Sequence, residues 1–421
     1  MSIKHIFIKT TTFFSIFLIL LGYCYTFADD IDISENINIS TQLENDEIIE
    51  TSSNDISSLK LNSRSCVVLD RLSQKILYGK NENNKVKMAS TTKIMTATVI
   101  IENCDLSKTI EVSKKAAGTG GSRLGLKTGD KITIKDLLYG LLLCSGNDAA
   151  VALAEAASGS IQNFSKLMNN KANSLGLTNT HFESPHGLDS DGHYTTAYEL
   201  AVLTNYALKN QIFCQIVGTK NYTVTINGYP KNLNNTNELL GYLDGVYGVK
   251  TGFTNGANRC LVSACKRGNM DIICVVLGCD TKKFRTTDSI KLIEYAFNNF
   301  EYVDVNKLIT EKFTTWKSEN ENYFKIDKGT SCNLEIKYSE LENAIVPINK
   351  NEISSIEVNI HMKQLFEAPV YENDIVGTIE VSSANKFIEH CDILASNTIK
   401  RKNVFQYMYG FFKDYSRILN I

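Results

Sequence analysis

Residues 88–103, MASTTKIMTATVIIEN, predict a largely buried helix with two reactive side chains at its start. Apolar residues recur in it at helical spacing, and the helix is expected to begin near Ser90. Lys93 follows three residues later, which places its amine one turn from the Ser90 hydroxyl on the same face. A serine becomes a good nucleophile when a base takes its proton, and a lysine can do so where burial or another cation lowers its pKa. Ser90 and Lys93 are therefore the candidate nucleophile and base.

The same Ser-x-x-Lys spacing also occurs by chance, at Ser263 with Lys266 and at Ser383 with Lys386. Both pairs lie in strand-like sequence, where positions i and i+3 point to opposite faces. Strand geometry therefore disfavours both pairs as a nucleophile with its base.

A tight polar loop is predicted at Ser145-Gly146-Asn147, between two apolar helices in residues 134–158. The loop would present the hydroxyl of Ser145 and the amide of Asn147. Alone, the tripeptide indicates only a turn, because its residues favour turns and the same pattern recurs elsewhere in the chain.

Lys-Thr-Gly occurs at residues 127–129 and again at 250–252. The first copy precedes Asp130 and a strand-like run, which predicts a turn, and the carboxylate beside it would repel an anionic substrate. The second copy ends the strand-like run VYGVKTGF, ahead of two further strand-like runs. It can therefore lie on a sheet edge, where glycine lets a substrate backbone approach closely. We assign the chemistry to this copy, in which Lys250 supplies positive charge and Thr251 a hydroxyl.

Length and composition indicate a soluble protein of at least two domains. The chain has 421 residues, 43% of them hydrophobic, and a net charge of −2, so nucleic acid is not expected as a partner. A hairpin at residues 65–80, later helices and strands, and a closing helix at 289–300 favour an α/β or α+β catalytic domain. Residues 302–392 show short alternating runs with almost no helical periodicity, which predicts a small all-β domain.

The N terminus predicts a secretory signal over residues 1–28, in which two lysines precede an apolar run and a cleavage site at Ala28. A retained N-terminal membrane anchor is the alternative, because the apolar run alone does not distinguish the two. Cys24 also permits a lipoprotein signal, which the bulk of Tyr23 disfavours. Residues 29–60 are acidic and rich in Asn and Ser, which predicts a flexible leader.

Eleven cysteines are scattered along the chain without paired spacings. Cys66, Cys260, Cys265 and Cys274 lie in apolar, strand-like runs, where a reduced cysteine behaves as a small hydrophobic residue. Buried free thiols are therefore favoured over a disulfide framework, which implies an exported protein in a poorly oxidising habitat.

A terminal amphipathic helix is predicted from about residue 400 to residue 421. Its apolar face consists of Val404, Met408, Phe411, Tyr415 and Ile418. Charges interrupt the segment, so it is not apolar enough to span a bilayer. Aromatic and basic residues suit the outer face of the cytoplasmic membrane, and the alternative is a helix packed on the protein itself.

The three short motifs become specific in combination. In the order in which they occur, they resemble the S-x-x-K, S-x-N and K-T-G motifs of serine penicillin-binding proteins and β-lactamases. Over residues 61–300 the chain is similar to the D-alanyl-D-alanine carboxypeptidase family of low-molecular-weight penicillin-binding proteins. The segments that carry this similarity are MASTTKIMTA, LLLCSGNDAAVALAE, FESPHGLDSDGHYTTAYELA and GVKTGFTNGANRCLVSA.

This resemblance implies an α+β fold in three parts: a β-lactamase/transpeptidase-like catalytic domain over residues 61–300, a smaller all-β domain over 301–392 and an amphipathic helix over 398–421. It also implies the reaction. The enzyme would remove the terminal D-alanine from peptidoglycan stem pentapeptides through an acyl-enzyme, and β-lactam antibiotics would inhibit it by acylation. No cofactor is implied.

The resemblance assigns catalytic roles residue by residue. Ser90 would attack the carbonyl between the last two D-alanines, with Lys93 as the base. Ser145 would relay a proton to the leaving amine, and Asn147 would hold Lys93 and the substrate amide. Lys250 would keep the local field positive.

A second group of residues would bind the substrate. The backbone N–H groups of Ser90 and Phe253 would form the oxyanion hole, and Gly252 would admit the substrate backbone. Thr251 would donate to the terminal carboxylate of the substrate. Arg285 lies where the family places an arginine that steers this carboxylate, although it could equally be a surface cation.

One departure from the family pattern lies nearby. The family often has Ala-Gly-Tyr where this chain has Ala257-Asn258-Arg259. The resemblance therefore does not imply the shape of this part of the pocket, or its side-chain preference.

Three alternatives stand beside this interpretation. A zinc site could form from His181, His186, Asp189, Asp191 and His193, but their spacing follows no regular metal motif, and metal is not predicted. A β-lactamase would share the three motifs but needs a deacylating glutamate, and no E-x-x-L-N segment is present. A wall-binding protein with a decayed active site is disfavoured because the catalytic motifs are intact.

Overall fold

The computed structural model describes residues 59–320 and 324–418, with side chains placed through residue 413. The predicted signal and nearly all of the predicted leader lie outside these residues. The chain divides into two units, Met1–Asn298 and Asn299–Ile421.

The strands of the first unit come from both ends of its described segment. They are β1 (Ser65–Asp70), β2 (Ile76–Lys80), β3 (Thr109–Glu111), β4 (Lys131–Thr133), β5 (Asn221–Ile226), β6 (Tyr229–Asn234), β7 (Val246–Thr254), β8 (Asn258–Arg267) and β9 (Met270–Cys279). Five of them form an antiparallel sheet in the order β2-β1-β9-β8-β7, while β3 pairs with β4 and β5 with β6. The predicted hairpin is confirmed, and β7, which carries the second Lys-Thr-Gly, is an edge strand of this sheet.

Helices fill the segments between these strands. They are α1 (Lys93–Asn103), α2 (Lys114–Ala117), α3 (Ile134–Leu142), α4 (Asn147–Ser158), α5 (Ile161–Ser174), α6 (Ala197–Ala207), α7 (Gln211–Gly218) and α8 (Lys282–Asn299). Side-chain oxygens cap several of them; Thr133, for example, accepts from the N–H of Asp136 at the start of α3. A short 3-10 helix, Ala89–Thr92, leads directly into α1, so the predicted start near Ser90 is confirmed.

The main core lies on one face of the large sheet. Alternate residues of β9, namely Ile273, Val275 and Leu277, join α1 and its neighbours in one buried apolar cluster. The opposite face carries Val68 of β1, which pairs with Tyr78 of β2. Tyr295 of α8 packs edge-to-face on Tyr78, with ring centroids 5.7 Å apart, so α8 covers that second face.

The second unit is built mainly of strands. They are β10 (Phe300–Asp304), β11 (Lys325–Asp327), β12 (Ile336–Tyr338), β13 (Ile345–Asn349), β14 (Ile356–Met362), β15 (Leu365–Glu367), β16 (Ile375–Ser383) and β17 (Lys386–Ala395). The largest sheet has the order β12-β17-β16-β14, and a 3-10 helix, Lys350–Ser355, precedes β14. Together the two units confirm the predicted α+β class with a smaller, β-rich second part.

One helix in this unit corrects the expectation that residues 302–392 hold almost no helix. α9 (Val305–Asn320) is long and regular. Its buried residues Val305, Ile309 and Phe313 recur every four positions, but polar residues fill the remaining positions. The apolar stripe is therefore narrow, and the alternating runs around it dominate the sequence pattern.

The terminal helix α10 (Val404–Ile418) begins later than the predicted residue 398. Ile399 is 1% exposed and pairs with Val370, so the residues just before the helix belong to the core of the second unit. The helix itself exposes large apolar side chains, including Phe405 at 81% and Phe411 at 69%. Within the described part of the chain, none of the helices combines the length and hydropathy needed to cross a bilayer.

The ten cysteines in the described residues are all free thiols. Burial raises the pKa of Cys66 and of Cys260 to about 11, and that of Cys265 to about 12. The prediction of buried free thiols in the strands is therefore confirmed. Cys332, in the second unit, is exposed.

Candidate active site

The candidate nucleophile lies in the 3-10 helix that precedes α1. Ser90 is 2% exposed, and its Oγ accepts a hydrogen bond of 2.6 Å from Nζ of Lys93, which is 0% exposed. Ala89 has a positive φ of 48°, a conformation that residues with a side chain rarely adopt. Thr92 Oγ1 donates to the Ala89 carbonyl at 2.8 Å. The Ser90 hydroxyl and the Lys93 amine thus lie together in a buried turn that the Thr92 hydrogen bond stabilises.

Two other segments of the chain also meet at the Lys93 amine. Nζ donates to Asn147 Oδ1 at 2.7 Å and to the His186 carbonyl at 3.0 Å. The Asn147 amide in turn donates to the Gly120 carbonyl at 2.9 Å. The first two motifs therefore converge on one nitrogen.

Ser145 lies in the loop between α3 and α4, as the sequence predicts. The loop is tight: Ser145 has a positive φ of 60°, and Gly146 N donates to the Gly140 carbonyl at 3.0 Å. Ser145 is 6% exposed, and Asn147 follows as the first residue of α4. The hydroxyl and the amide of this motif are thus fixed at the start of one helix.

Asp148 has a structural role that sequence reasoning missed. This buried carboxylate accepts hydrogen bonds from the backbone N–H groups of Leu124, Gly125 and Leu126 at 2.7, 2.7 and 2.9 Å. It therefore holds the loop whose Gly120 carbonyl accepts from the neighbouring Asn147. The sequence shows only that Asp148 is an acidic residue in the first turn of a predicted helix. Such a residue is expected to stabilise the helix end, and it does not indicate hydrogen bonds to a distant loop.

The second Lys-Thr-Gly lies directly beside the candidate nucleophile, Ser90. A Cβ added at Gly252 would come within 3.1 Å of Ser90 N, so only glycine permits this approach of β7 to the turn. Lys250 is 1% exposed, and its Nζ donates to the Thr251 carbonyl at 3.0 Å. Thr251 Oγ1 lies 2.7 Å from Thr236 Oγ1. The structure thus brings together all three motifs.

The first Lys-Thr-Gly forms a turn before β4. Lys127 N donates to Asp130 Oδ2 at 2.7 Å, and Gly129 has a positive φ of 86°. A left-handed conformation favours glycine for backbone reasons alone. This copy therefore matches the structural role predicted for it.

The segment that departs from the family pattern places a cation on an aromatic ring. Arg259 pairs with Phe253 across β7 and β8, and its guanidinium carbon lies 3.8 Å from the centre of the Phe253 ring. Asn258 has a positive φ of 56°. Phe253 is therefore covered by Arg259 next to the predicted oxyanion N–H.

Arg285, predicted to steer the substrate carboxylate, is paired with a carboxylate of the protein itself. It is 4% exposed, and its guanidinium lies 2.5 Å from Glu238 Oε1. Glu238 could not be identified as this partner from the sequence, because nothing in the local sequence links two residues 47 positions apart.

The histidines and aspartates of residues 181–193 have separate structural partners. His193 accepts from Glu183 N at Nδ1, which leaves Nε2 to donate to Thr92 Oγ1 at 2.7 Å, and Asp189 accepts from Thr254 Oγ1 at 2.7 Å. Burial lowers the pKa of His193 to about 4. Burial, with Lys93 nearby, lowers that of His186 to about 3. Across residues 59–320 and 324–413, no three His, Cys, Asp or Glu side chains are grouped as metal ligands.

The two chance Ser-x-x-Lys pairs differ from each other. Ser263 and Lys266 lie within β8, as predicted. Ser383 ends β16 and Lys386 begins β17, where the two pair across a hairpin, so the expectation that they point to opposite faces of one strand is wrong. A tight turn reverses the chain between them.

Comparisons with known proteins agree with this geometry. A family model for D-alanyl-D-alanine carboxypeptidase matches residues 50–281, and one for the C-terminal domain of penicillin-binding protein 5 matches residues 315–401. D-alanyl-D-alanine carboxypeptidase DacF of Bacillus subtilis is 33% identical over 367 residues, which cover 86% of this chain and 92% of that protein.

Solved structures are similar over most of the chain. The D-alanyl-D-alanine carboxypeptidase DacD of Francisella tularensis has a TM-score of 0.69 at 26% identity and covers 82% of this chain and 95% of its own. Penicillin binding protein 5 of Haemophilus influenzae has a TM-score of 0.64 at 26% identity, with coverages of 81% and 98%. Because the family model matches more than half of the chain, in a range that includes Ser90, Lys93 and the second Lys-Thr-Gly, the chain belongs to the D-alanyl-D-alanine carboxypeptidase family.

Proposed function

We propose that this chain is a serine-type D-alanyl-D-alanine carboxypeptidase that removes the terminal D-alanine from peptidoglycan stem pentapeptides. The observation that carries the proposal is the 2.6 Å contact between Ser90 Oγ and Lys93 Nζ in a buried turn. Removal from water disfavours the charged form of an amine, so a buried Lys93 is suited to take the Ser90 proton.

In the acylation step, Ser90 Oγ bonds to the carbonyl carbon between the last two D-alanines while Lys93 takes the hydroxyl proton. The backbone N–H groups of Ser90 and Phe253 stabilise the oxyanion. The C–N bond then breaks, Ser145 passes a proton to the leaving amine, and D-alanine departs. Water hydrolyses the remaining ester and restores Ser90.

The second Lys-Thr-Gly supports this assignment of the substrate site. Its Gly252 lies against the Ser90 backbone, and β7 is an edge strand, to which an extended peptide can add through main-chain hydrogen bonds. Lys250 supplies positive charge there, and Thr251 offers a hydroxyl to the terminal carboxylate. Asn147, held by Gly120, positions Lys93.

Release of D-alanine from a pentapeptide by the purified protein is the direct test. Ser90→Ala should abolish both this release and covalent labelling by a fluorescent penicillin. Ser263→Ala and Ser383→Ala serve as controls, since these serines share the spacing but lie in strands, and both variants should retain labelling. Labelling that survives the loss of Ser90 would contradict the assignment.

The same reagents separate the rival functions. A β-lactamase would turn over penicillin rapidly without accumulating a labelled protein, whereas a non-catalytic wall-binding protein would neither label nor release D-alanine. A carboxypeptidase of this type accumulates the acylated enzyme with penicillin and turns over the peptide.

A second part of the proposal concerns location. We propose that the protein is exported with the help of residues 1–28 and that α10 lies in the outer face of the cytoplasmic membrane. The large apolar side chains of α10 are exposed, and Lys400, Arg401 and Lys402 precede it. A helix with an apolar face and adjacent basic residues binds at an anionic lipid interface.

Truncation after Lys402 tests this location, because it removes α10 and keeps Ile399 in the core of the second unit. The truncated protein should keep its D-alanine release and lose its binding to anionic vesicles. As a control within the full chain, Phe405→Glu with Phe411→Glu should also weaken vesicle binding. Unchanged binding by the truncated, folded protein would refute the membrane role of α10.

A further inference from the structure

Glu238 binds the arginine that the substrate carboxylate is expected to meet. Its Oε1 lies 2.5 Å from the Arg285 guanidinium and accepts a hydrogen bond of 3.0 Å from Thr286 Oγ1. Lys282 Nζ lies 4.0 Å from the same oxygen. The Glu238 and Arg285 side chains are only 14% and 5% exposed, so their charges interact with little screening by water.

This pair lies next to the second Lys-Thr-Gly. Glu238 follows Thr236 by two residues, and the Thr236 hydroxyl lies 2.7 Å from that of Thr251. Arg285 is therefore connected to Thr251 of the Lys-Thr-Gly through Glu238 and the residue two positions before it. The substrate's C terminus is expected beside this threonine.

The Arg285–Glu238 ion pair uses a single guanidinium nitrogen, whereas a second ion pair of α8 uses two. Arg267 holds Glu294 of α8 with two parallel hydrogen bonds, of 2.9 and 2.7 Å. Arg285 contacts Glu238 through one nitrogen, and among the described residues neither Arg285 Nε nor Glu238 Oε2 has a hydrogen-bond partner, although both atoms are buried. Guanidinium groups bind carboxylates most strongly through two N–H groups. The contact with Glu238 therefore leaves part of the hydrogen-bonding capacity of Arg285 unused.

We propose that Glu238 is a specificity-determining residue whose carboxylate competes with the terminal carboxylate of the peptide for Arg285. This inference rests on the proposed function. Discrimination between two substrates depends on the difference in their binding, and a cation already neutralised by the protein adds less to that difference. The enzyme consequently favours a free-acid peptide over its C-terminal amide only weakly, because Glu238 offsets the attraction of Arg285.

Glu238→Gln tests this competition, since it keeps the shape of the side chain and removes its charge. The ratio of kcat/KM for a peptide ending in D-Ala-D-Ala to kcat/KM for the same peptide amide should rise about tenfold, the scale of one charge-assisted hydrogen bond. The change should come from a lower KM for the acid, with the amide unaffected. Glu238→Asp, which withdraws the carboxylate by one methylene, should raise the ratio less.

Two controls isolate the effect. Glu294→Gln removes the same charge from the Arg267 pair and should leave the ratio unchanged. Arg285→Ala should lower the ratio, and adding Glu238→Gln to it should have no further effect, because the two residues then act through one contact. Equal changes for acid and amide in Glu238→Gln would overturn the inference while leaving the proposed function intact.

A separate outcome concerns the function itself. If the folded wild-type protein hydrolyses neither peptide, the proposed function fails, and acylation by a penicillin and by its carboxylate ester decides the role of Glu238. Faster acylation of Glu238→Gln by the free acid alone would support the competition. An unchanged acid-to-ester ratio would overturn it.

Discussion

Gly252→Ala adds one methyl group where β7 lies against the turn that holds Ser90. The added Cβ would lie 3.1 Å from Ser90 N, 3.2 Å from Ala89 Cβ and 3.2 Å from Thr91 N. Carbon atoms in favourable contact lie about 3.5–4.0 Å apart, so the turn must retreat by a few tenths of an ångström. The Ser90 N–H is a proposed oxyanion donor, and its retreat lengthens a hydrogen bond made in the transition state.

The size of this effect follows from the geometry. Complete loss of one oxyanion donor costs about 2.7–4 kcal/mol, or roughly a hundredfold to a thousandfold in rate. A displaced donor keeps part of its interaction, so we expect acylation of Gly252→Ala to slow by about 10- to 100-fold. Overpacking should also lower the free energy of unfolding by about 1–3 kcal/mol. Stopped-flow acylation by a fluorescent penicillin and urea unfolding measure the two quantities.

The other Lys-Thr-Gly provides the matched control. At Gly129 no atom lies within 4 Å of an added Cβ, but φ is +86°. Gly129→Ala should therefore cost about 1–2 kcal/mol of stability through backbone strain and leave the acylation rate unchanged. If penicillin acylates Gly252→Ala at the wild-type rate, or if the acylation rates of both variants fall equally, this explanation is refuted.

Three further predictions follow from the same site. Lys250→Ala should slow acylation by about a hundredfold or more, whereas Lys127→Ala should acylate at the wild-type rate; equal rate losses would contradict the assignment. Asp148→Ala leaves three backbone N–H groups without their carboxylate, so urea unfolding should show a loss of about 3–5 kcal/mol, and acylation should slow because the loop that holds Asn147 is released. The pKa of His193 is about 4 in the folded protein against 6.5 ordinarily, so protonation favours the unfolded chain. The stability that His193 contributes should therefore be fully present above about pH 6.5 and be lost towards pH 4. His193→Gln should weaken the pH dependence seen in urea titrations, and the part due to His186, whose pKa is also lowered, should remain. An unchanged dependence in this variant would exclude His193 as a contributor.

The three motifs of the candidate site could be recognised from the sequence because each depends on local geometry. A hydroxyl and an amine three residues apart at a helix start must lie on one face, and Ser90 and Lys93 do so. The edge position of the second Lys-Thr-Gly was likewise indicated by the strand-like runs that follow it. The family resemblance implied that the three motifs lie in one site, because no local feature of the sequence indicates that Asn147 contacts Lys93.

The contacts that sequence reasoning missed join segments that are distant in the chain. Three strands, β7, β8 and β9, separate Glu238 from Arg285 in the sequence, and no periodic pattern indicates that the two residues are in contact. Asp148 looked like an ordinary acidic residue in a first helical turn, yet it holds a loop more than twenty positions earlier. α9 was missed for a different reason: its apolar stripe is too narrow to outweigh the strand-like pattern around it.

The free thiols have a practical consequence for handling the protein in air. Of the ten described cysteines, only Cys332 is exposed, and burial raises the pKa of the half-buried Cys104, Cys144 and Cys214. Thiolates rather than thiols react, so the buried and half-buried groups resist oxidation and alkylation. The first product of slow oxidation among these residues should be a covalent dimer linked through Cys332. The same residue offers a single attachment point for a maleimide dye in the second unit, remote in sequence from Ser90.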